Sequence, residues 1–261
     1  MPVDVERGAA AVLASCRQFT QLLRSARTPA AGAIGSWTVA ETAEHVAEII
    51  DVETAMVEGR GAPAPDLDIA AFNAAHLRAY TERDLERIAD RVDVLAAAFV
   101  DAVRSKPANA DVGWHAGITL PLTSIVAVVL SEVLVHGFDV ARGERRRWII
   151  TRDHAVLAVD GLAVLLPYYL DTEAAAGLSA CFDVRVRGGS RHYYVIDHER
   201  LTIEAPSERR VDCHVSADPA AFLLAGYRRV GQWGPALRGQ MIAWGRRPWL
   251  ALRLISLLKN P

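Results

Sequence analysis

Apolar residues recur every three or four positions along the first two-thirds of the chain, which is the spacing of the buried face of an α-helix. Five such segments are separated by stretches rich in glycine, proline and polar residues. They cover about residues 5–26, 38–58, 82–105, 121–142 and 152–170. Long helices joined by short links are typical of an up-and-down helical bundle, which we predict for this part of the chain.

After about residue 177 the pattern changes to an alternation of apolar and polar residues. Four short runs show it: CFDVRVRG, HYYVID, RLTIEA and RVDCHVSA. This alternation predicts an antiparallel sheet. Two later segments are predicted to be helical, namely DPAAFLLAGY and RPWLALRLISLLKNP. The fold class is therefore α+β with two domains, a bundle over residues 1–174 and a small α+β domain over residues 175–261.

The composition agrees with a chain that buries a sizeable core. The 261 residues are 51% hydrophobic and 23% charged, which suits one large domain or two modest ones. The formal net charge of −2 supplies no overall basic field. Neither nucleic acid nor a membrane is therefore predicted as a partner, and the oligomeric state is left open.

The predicted location is the cytoplasm. Charged residues or proline interrupt the longest apolar stretches, so no span of about 20 apolar residues is expected. The first ten residues contain acids and no apolar run, which argues against a signal peptide. Cys16, Cys181 and Cys213 lie far apart without a C-x-x-C motif, which favours reduced, buried thiols that serve packing.

Candidate chemistry lies on the fourth predicted helix. The sequence IVAVVL at residues 125–130 is apolar on every side, so we expect this helix to be buried. Glu132, His136 and Asp139 follow within two turns and share one face of the helix. A buried carboxylate is costly unless it is paired or binds a metal ion. Glu and His four residues apart can both ligate one cation, which makes Glu132 and His136 candidate metal ligands.

Two other interpretations fit the same spacing, a buried hydrogen-bonded Glu–His pair and a solvent-exposed face. A metal site needs a third protein ligand, and His45 lies at the edge of the apolar stripe of the second helix. A lone helix histidine is nevertheless more often a surface or packing residue. Asp139 is a candidate to hold the second ring nitrogen of His136. Zinc is expected from this ligand set, although Ni²⁺ and Fe²⁺ also accept two imidazoles and a carboxylate.

Two motifs resemble those of a known family. They are W-T-V-x-E-x-x-x-H at residues 37–45 and S-E-V-x-V-H-x-F-D at residues 131–139. Together they resemble the mycothiol-dependent maleylpyruvate isomerases, which belong to the DinB-like metal-binding four-helix bundles. The resemblance covers about residues 5–170. It implies that His45, Glu132 and His136 are the metal ligands.

The last part of the chain, about residues 178–261, resembles a sterol-carrier-protein-like domain. Such a domain follows the bundle in many members of this family. The family also implies an arginine of this domain near the site, because a carboxylate substrate suits a guanidinium fork. Arg238 and Arg246 are the candidates for substrate or thiol binding. The alternative for each is a solvated surface arginine.

The resemblance implies a mechanism based on a small thiol, which is mycothiol in actinobacteria. The thiolate adds to an electron-poor double bond, the adduct rotates about the resulting single bond, and expulsion of the thiol completes a cis–trans isomerisation. Retention of the adduct would make the protein a thiol S-transferase, and an activated water would make it a hydrolase. The family does not identify the substrate.

The leading hypothesis is therefore a metal-dependent enzyme that uses a thiol to isomerise or S-conjugate a small electrophile. If the arginines bind this substrate, we expect it to carry a carboxylate. The alternative belongs to another class. In it the C-terminal domain carries an apolar ligand, and the metal in the bundle serves only the structure.

Overall fold

The computed structural model describes residues 4–77 and 81–259. The chain folds as two compact units, one ending at Ile150 and the other beginning at Thr151. The predicted domain boundary at residue 174 lies later in the chain. The difference arises because the helix at residues 152–162 packs against the helix at residues 219–226, which places it in the second unit.

The first unit is the predicted helical bundle with additional short elements. Its elements are α1 (Val5–Ser25), β1 (Gly32–Ile34), β2 (Trp37–Thr38), α2 (Val39–Glu58), α3 (Ile69–Leu77), α4 (Leu85–Arg104), β3 (Asp111–Gly113), a 3-10 helix (His115–Gly117), β4 (Thr119–Pro121) and α5 (Leu122–Gly143). Helices α1 and α2 each pack against both α4 and α5, which gives a four-helix bundle. The four long helices confirm the predicted segments to within a few residues.

Local hydrogen bonds account for where the bundle helices begin. The Asp4 side chain accepts hydrogen bonds from backbone N–H groups of the first turn of α1, and Asp84 does the same for α4. Helix α2 begins with a capping box, in which the Thr38 and Glu41 side chains each bond the other residue's backbone N–H. This cap fixes the start of α2 at Val39, six residues before His45.

The bundle core is built from large apolar side chains that are fully buried. They include Phe19, Ile50, Ile88, Phe99, Leu130 and Leu134. Among the described helices, α5 alone is long and apolar enough to cross a membrane by length and composition. Most of α5 is buried inside the protein, as expected of a central bundle helix.

The second unit contains a five-stranded sheet and short helices. Its elements are α6 (Arg152–Leu162), a 3-10 helix (Ala163–Tyr169), α7 (Thr172–Ala175), β5 (Ala180–Val186), β6 (Arg191–Asp197), β7 (Arg200–Glu204), β8 (Cys213–Ala217), α8 (Pro219–Gly226), α9 (Trp233–Leu237), β9 (Met241–Gly245), a 3-10 helix (Pro248–Leu250) and α10 (Ala251–Leu254). The strand order is β7-β6-β5-β8-β9.

All four predicted strands are present, as β5, β6, β7 and β8. Neighbouring strands run antiparallel except β5 and β8, which pair in parallel with Phe182 opposite Cys213. The edge strand β9 is a fifth strand. The closing segment was predicted to be helical throughout, but in its described part, up to residue 259, the helices cover only residues 248–254. One face of the sheet carries the core of this unit, with Phe182, Val184 and Tyr194 packed against Leu254 and Leu257.

Candidate metal centre

Three side chains from two bundle helices converge on one point. His45 lies on α2, and Glu132 and His136 lie one turn apart on α5. Their ligand atoms all lie within 4.8 Å of one another. Nε2 of His136 is 3.1 Å from Oε2 of Glu132, and Nε2 of His45 is 3.6 Å from the same oxygen. Two imidazole nitrogens and a carboxylate oxygen therefore surround a space that a single cation can occupy.

The other ring nitrogen of each histidine faces a carboxylate. Nδ1 of His136 is 3.1 Å from Oδ2 of Asp139, and Nδ1 of His45 is 3.4 Å from Oε2 of Glu48. With a proton on Nδ1, each imidazole presents the lone pair of Nε2 to the common centre. The sequence had suggested Asp139 for this position. Glu48 was missed, although it follows His45 at the same three-residue spacing at which Asp139 follows His136.

Trp37, the first residue of the first motif, lies beside the two histidines of the cluster. Its ring lies 4.9 Å from the ring of His45 and 6.4 Å from that of His136, measured between centroids. The two imidazoles are perpendicular to each other, with centroids 4.9 Å apart. Trp37 lies directly before the N-cap Thr38, so the same cap that starts α2 also places the indole beside both histidines.

The ionised Glu132 carboxylate gives the cluster a negative charge that favours binding of a cation. Burial by itself raises the pKa of Glu132, but hydrogen bonds with His136 and His45 outweigh it and hold that pKa far below its usual range. Burial lowers the pKa of His45, yet its bonds with Glu132 and Glu48 produce a net increase. Glu132 is thus an ionised, largely buried carboxylate flanked by two imidazoles. A divalent cation fits this donor set, which matches that of known zinc sites.

Close packing against Trp148 explains why a glycine stands at position 137, directly after His136. A β-carbon at this position would overlap the six-membered ring of Trp148. The indole N–H of Trp148 donates to the carbonyl of Leu134 at 2.9 Å, which holds the ring against α5.

We expect Gly137→Ala to lower the free energy of unfolding by about 1–3 kcal/mol, since either Trp148 or α5 must shift. Urea denaturation measures this change. Gly113→Ala in β3 is the matched control, because a β-carbon there meets no atom within 4 Å. That control is expected to change stability by no more than about 0.5 kcal/mol. Equal stabilities of the two variants would contradict the packing explanation.

The two predicted arginines lie in the second unit, and both are exposed. Nε of Arg238 donates to Oε1 of Gln240 at 2.9 Å, and Nη1 of Arg246 donates to Oδ1 of Asp212 at 3.2 Å. These contacts leave each guanidinium with further N–H donors. Their assignment to substrate or thiol binding stays a prediction.

The three cysteines are unpaired and buried, as predicted. Burial raises the pKa of Cys16 to about 12 and that of Cys181 to about 11. Burial also raises the pKa of Cys213. A thiol with so high a pKa carries almost no thiolate at neutral pH, so these side chains are suited to packing and not to nucleophilic chemistry.

Comparison with known families decides the relationship of the chain. The family described as the mycothiol maleylpyruvate isomerase N-terminal domain matches residues 7–141, which is more than half of the sequence. The chain belongs to this family. The matched segment contains both motifs and all three residues of the cluster, which confirms the resemblance that the motifs indicated.

A solved structure of a mycothiol-dependent maleylpyruvate isomerase shares the fold. The crystal structure of the mycothiol-dependent maleylpyruvate isomerase aligns with a TM-score of 0.54 at 15% sequence identity, covering 89% of this chain and 91% of that chain. A histidine-to-alanine mutant of that isomerase aligns with a TM-score of 0.49 at 14% identity, covering 86% and 88%. At this identity the similarity establishes the fold alone.

A third solved structure, the UbiJ-SCP2 ubiquinone synthesis protein, aligns with 42% of this chain and 93% of its own. Its TM-score is 0.32 and its sequence identity is 17%. No curated protein sequence matches the chain significantly. The resemblance of the last part of the chain to a sterol-carrier-protein-like domain therefore stays a prediction.

Proposed function

We propose that this chain is a metal-dependent enzyme that uses a low-molecular-weight thiol to isomerise or S-conjugate a small electrophilic substrate. The proposed metal ligands are His45, Glu132 and His136, and mycothiol is the proposed thiol. The observation that carries the proposal is the convergence of two imidazole Nε2 atoms on one carboxylate oxygen, in a member of the mycothiol maleylpyruvate isomerase family.

Three protein ligands leave one position of a tetrahedral site for an exogenous ligand, as catalytic zinc sites do. A divalent metal bound by His45, Glu132 and His136 would supply the positive charge that favours the thiolate form of a small thiol at neutral pH. Zinc is the proposed metal, because imidazole and carboxylate donors suit it, and Ni²⁺ and Fe²⁺ are the alternatives.

The remaining residues of the cluster hold the ligands. Glu48 and Asp139 fix the ring orientation and tautomer of the two histidines through their Nδ1 atoms. Trp37 lies beside both imidazoles. We further propose that Arg238 or Arg246 binds a carboxylate of the substrate.

A cytoplasmic location is supported by the three unpaired cysteines.

The decisive experiment measures thiol dependence. Metal-loaded protein is incubated with mycothiol and either maleylpyruvate or 1-chloro-2,4-dinitrobenzene, the first probe reporting isomerisation and the second S-conjugation. We expect turnover of one probe that requires both the metal and the thiol and that His136→Ala abolishes. Failure of metal-loaded protein to bind mycothiol in titration calorimetry would contradict the proposal and would favour the apolar-ligand carrier.

A further inference from the structure

Large apolar side chains are exposed on three neighbouring elements at one edge of the second unit. Trp233 and Leu237 lie one turn apart on α9, which packs against the edge strand β9. Ile242 and Trp244 lie two residues apart on β9, and therefore on one face of that strand. Trp249 lies on the 3-10 helix that also packs against β9. We call these five residues the apolar edge.

The degree of exposure sets the apolar edge apart from the rest of the described surface. Leu237 is 88% exposed and Trp233 is 63% exposed. In the first unit, large apolar side chains are exposed at separate positions, Val94 and Ile149. Separate exposed apolar residues are normal on a protein surface, whereas a group of them marks a site that binds a protein or a membrane.

The part of the chain that carries the apolar edge is strongly basic. Residues 219–261 contain six arginines and one lysine, and they contain no aspartate or glutamate. Arg228 donates a hydrogen bond to the carbonyl of Leu258, and Arg253 donates to the carbonyl of Ala174. Because these acceptors are neutral, the contacts leave both positive charges uncompensated.

One acid on β8's side of the edge offsets part of this charge. Oδ1 of Asp212 is 3.2 Å from Nη1 of Arg246 and 3.9 Å from Nη1 of Arg247. The whole chain nevertheless carries a net charge of −2, so the segments before residue 219 hold the excess of acids. The expectation of no membrane partner was drawn from that total, which averages over a basic end and an acidic remainder.

The combination of charge and apolar exposure favours an anionic bilayer as the occupant. Tryptophan side chains prefer the interface between lipid and water, and arginines near it are attracted by anionic head groups. A second copy of the chain is disfavoured. Antiparallel pairing of two β9 strands would bring the Arg246 end of one copy against the Arg238 end of the other, and like charges repel. Nucleic acid is disfavoured because aliphatic side chains such as Leu237 cannot stack on bases.

We propose that this protein binds peripherally to anionic membranes through the apolar edge. Its tryptophan and aliphatic side chains enter the head-group region, and the surrounding arginines contact the lipid phosphates. Binding of this kind needs no membrane-spanning helix. The inference concerns the second unit alone, and it does not depend on the proposed thiol chemistry or on the metal centre.

Co-sedimentation of the full chain with lipid vesicles tests the proposal. One set of vesicles contains phosphatidylcholine with about 30% anionic phosphatidylglycerol, and the other contains phosphatidylcholine alone. We expect the wild type to bind the anionic vesicles at least about 10-fold more tightly. About 0.5 M sodium chloride is expected to remove most of this preference, because salt screens exposed charges.

Leu237→Glu places a negative charge on the apolar edge at a position too exposed to affect folding. We expect it to weaken binding to anionic vesicles by about 10-fold or more, with an unchanged circular dichroism spectrum. Val94→Glu is the matched control, because Val94 is 69% exposed on α4 of the bundle, and it is expected to bind as the wild type does. The double variant Arg228→Gln with Arg253→Gln is expected to lose affinity for the anionic vesicles.

Equal binding of the wild type and Leu237→Glu would overturn the proposal, as would a wild type that binds neither set of vesicles. A dimer in analytical ultracentrifugation that Leu237→Glu dissociates, without vesicle binding, would assign the apolar edge to a second copy and reject the membrane. Binding of a single-stranded oligonucleotide in place of vesicles would reject it in favour of nucleic acid. Metal content and thiol dependence are separate measurements, so none of these results bears on the proposed function.

Discussion

Replacement of His136 by alanine is expected to reduce the metal content from about one ion per chain to nearly none. His136 contributes one of three ligands, and its Nε2 lies 3.1 Å from the Glu132 carboxylate that shares the centre. Two remaining protein ligands are expected to bind zinc weakly, because catalytic zinc sites are held by three protein ligands. The measurement is elemental analysis of protein purified without a metal-affinity tag, with circular dichroism to show that the variant is folded.

The matched control is His198→Ala. The His198 side chain is 89% exposed, lies in the second unit and belongs to no cluster of candidate ligands among the described residues. It is expected to retain the wild-type metal content. Asp139→Asn and Glu48→Gln should show an intermediate effect, with about 10–100-fold weaker metal affinity, because each supports a ligand without binding the metal itself.

Equal metal content in wild type and His136→Ala would reject the metal assignment. Wild-type protein that holds no metal after gentle purification and reloading would do the same. Glu132 and His136 would then be a buried hydrogen-bonded pair, the alternative that their spacing had left open.

The second large effect is a loss of stability between about pH 5 and pH 7 that originates at Glu53. Burial raises the pKa of this carboxyl from its ordinary value of 4.5 to about 7 in the folded protein. Between these two values the folded state binds a proton that the unfolded chain has released. Stability therefore falls as the pH rises through this window, and it levels off above about pH 7.

The size of this contribution follows from the shift in pKa. At about 1.4 kcal/mol per pKa unit, Glu53 should cost the folded protein about 3 kcal/mol at pH 8 relative to pH 4. Glu53→Gln removes the titrating group and hence this component. Urea denaturation at several pH values measures it as the difference between wild type and variant, in which contributions from other groups cancel.

The difference curve distinguishes Glu53 from other acids. A stability difference that is constant from pH 5 to pH 8 would show that Glu53 titrates at an ordinary pKa and would contradict the prediction. Glu58→Gln is a suitable control, because Glu58 ends the same helix and is exposed. The stability difference between wild type and Glu53→Gln should not be reproduced by that substitution.

Much of the candidate site was predictable because its determinants are local. A capping box at Thr38 and Glu41 sets the start of α2, and the four-residue spacing of Glu132 and His136 places both on one face of α5. Such features depend on hydrogen bonds and periodicity within a few residues, which a sequence displays directly. The inclusion of His45 as third ligand required the family resemblance, since nothing local relates α2 to α5.

Contacts distant in sequence explain what was missed. Glu53 and Trp114 are 61 residues apart, and no motif connects them. Likewise, the alternation of apolar and polar residues shows that β5 and β8 are strands, but it does not specify that they pair in parallel or that β9 forms the edge.

The sequence by itself determined the bundle helices, four of the five strands of the main sheet, the buried thiols and the spacing of the α5 ligands. The tertiary structure alone decided that the Nε2 atoms of His45 and His136 meet at one carboxylate oxygen, and that Glu53 is enclosed with one oxygen unpaired. The physical reason is that helix and strand formation is governed by neighbours along the chain. The meeting of side chains from different helices is governed by how those helices pack, and packing depends on the whole core.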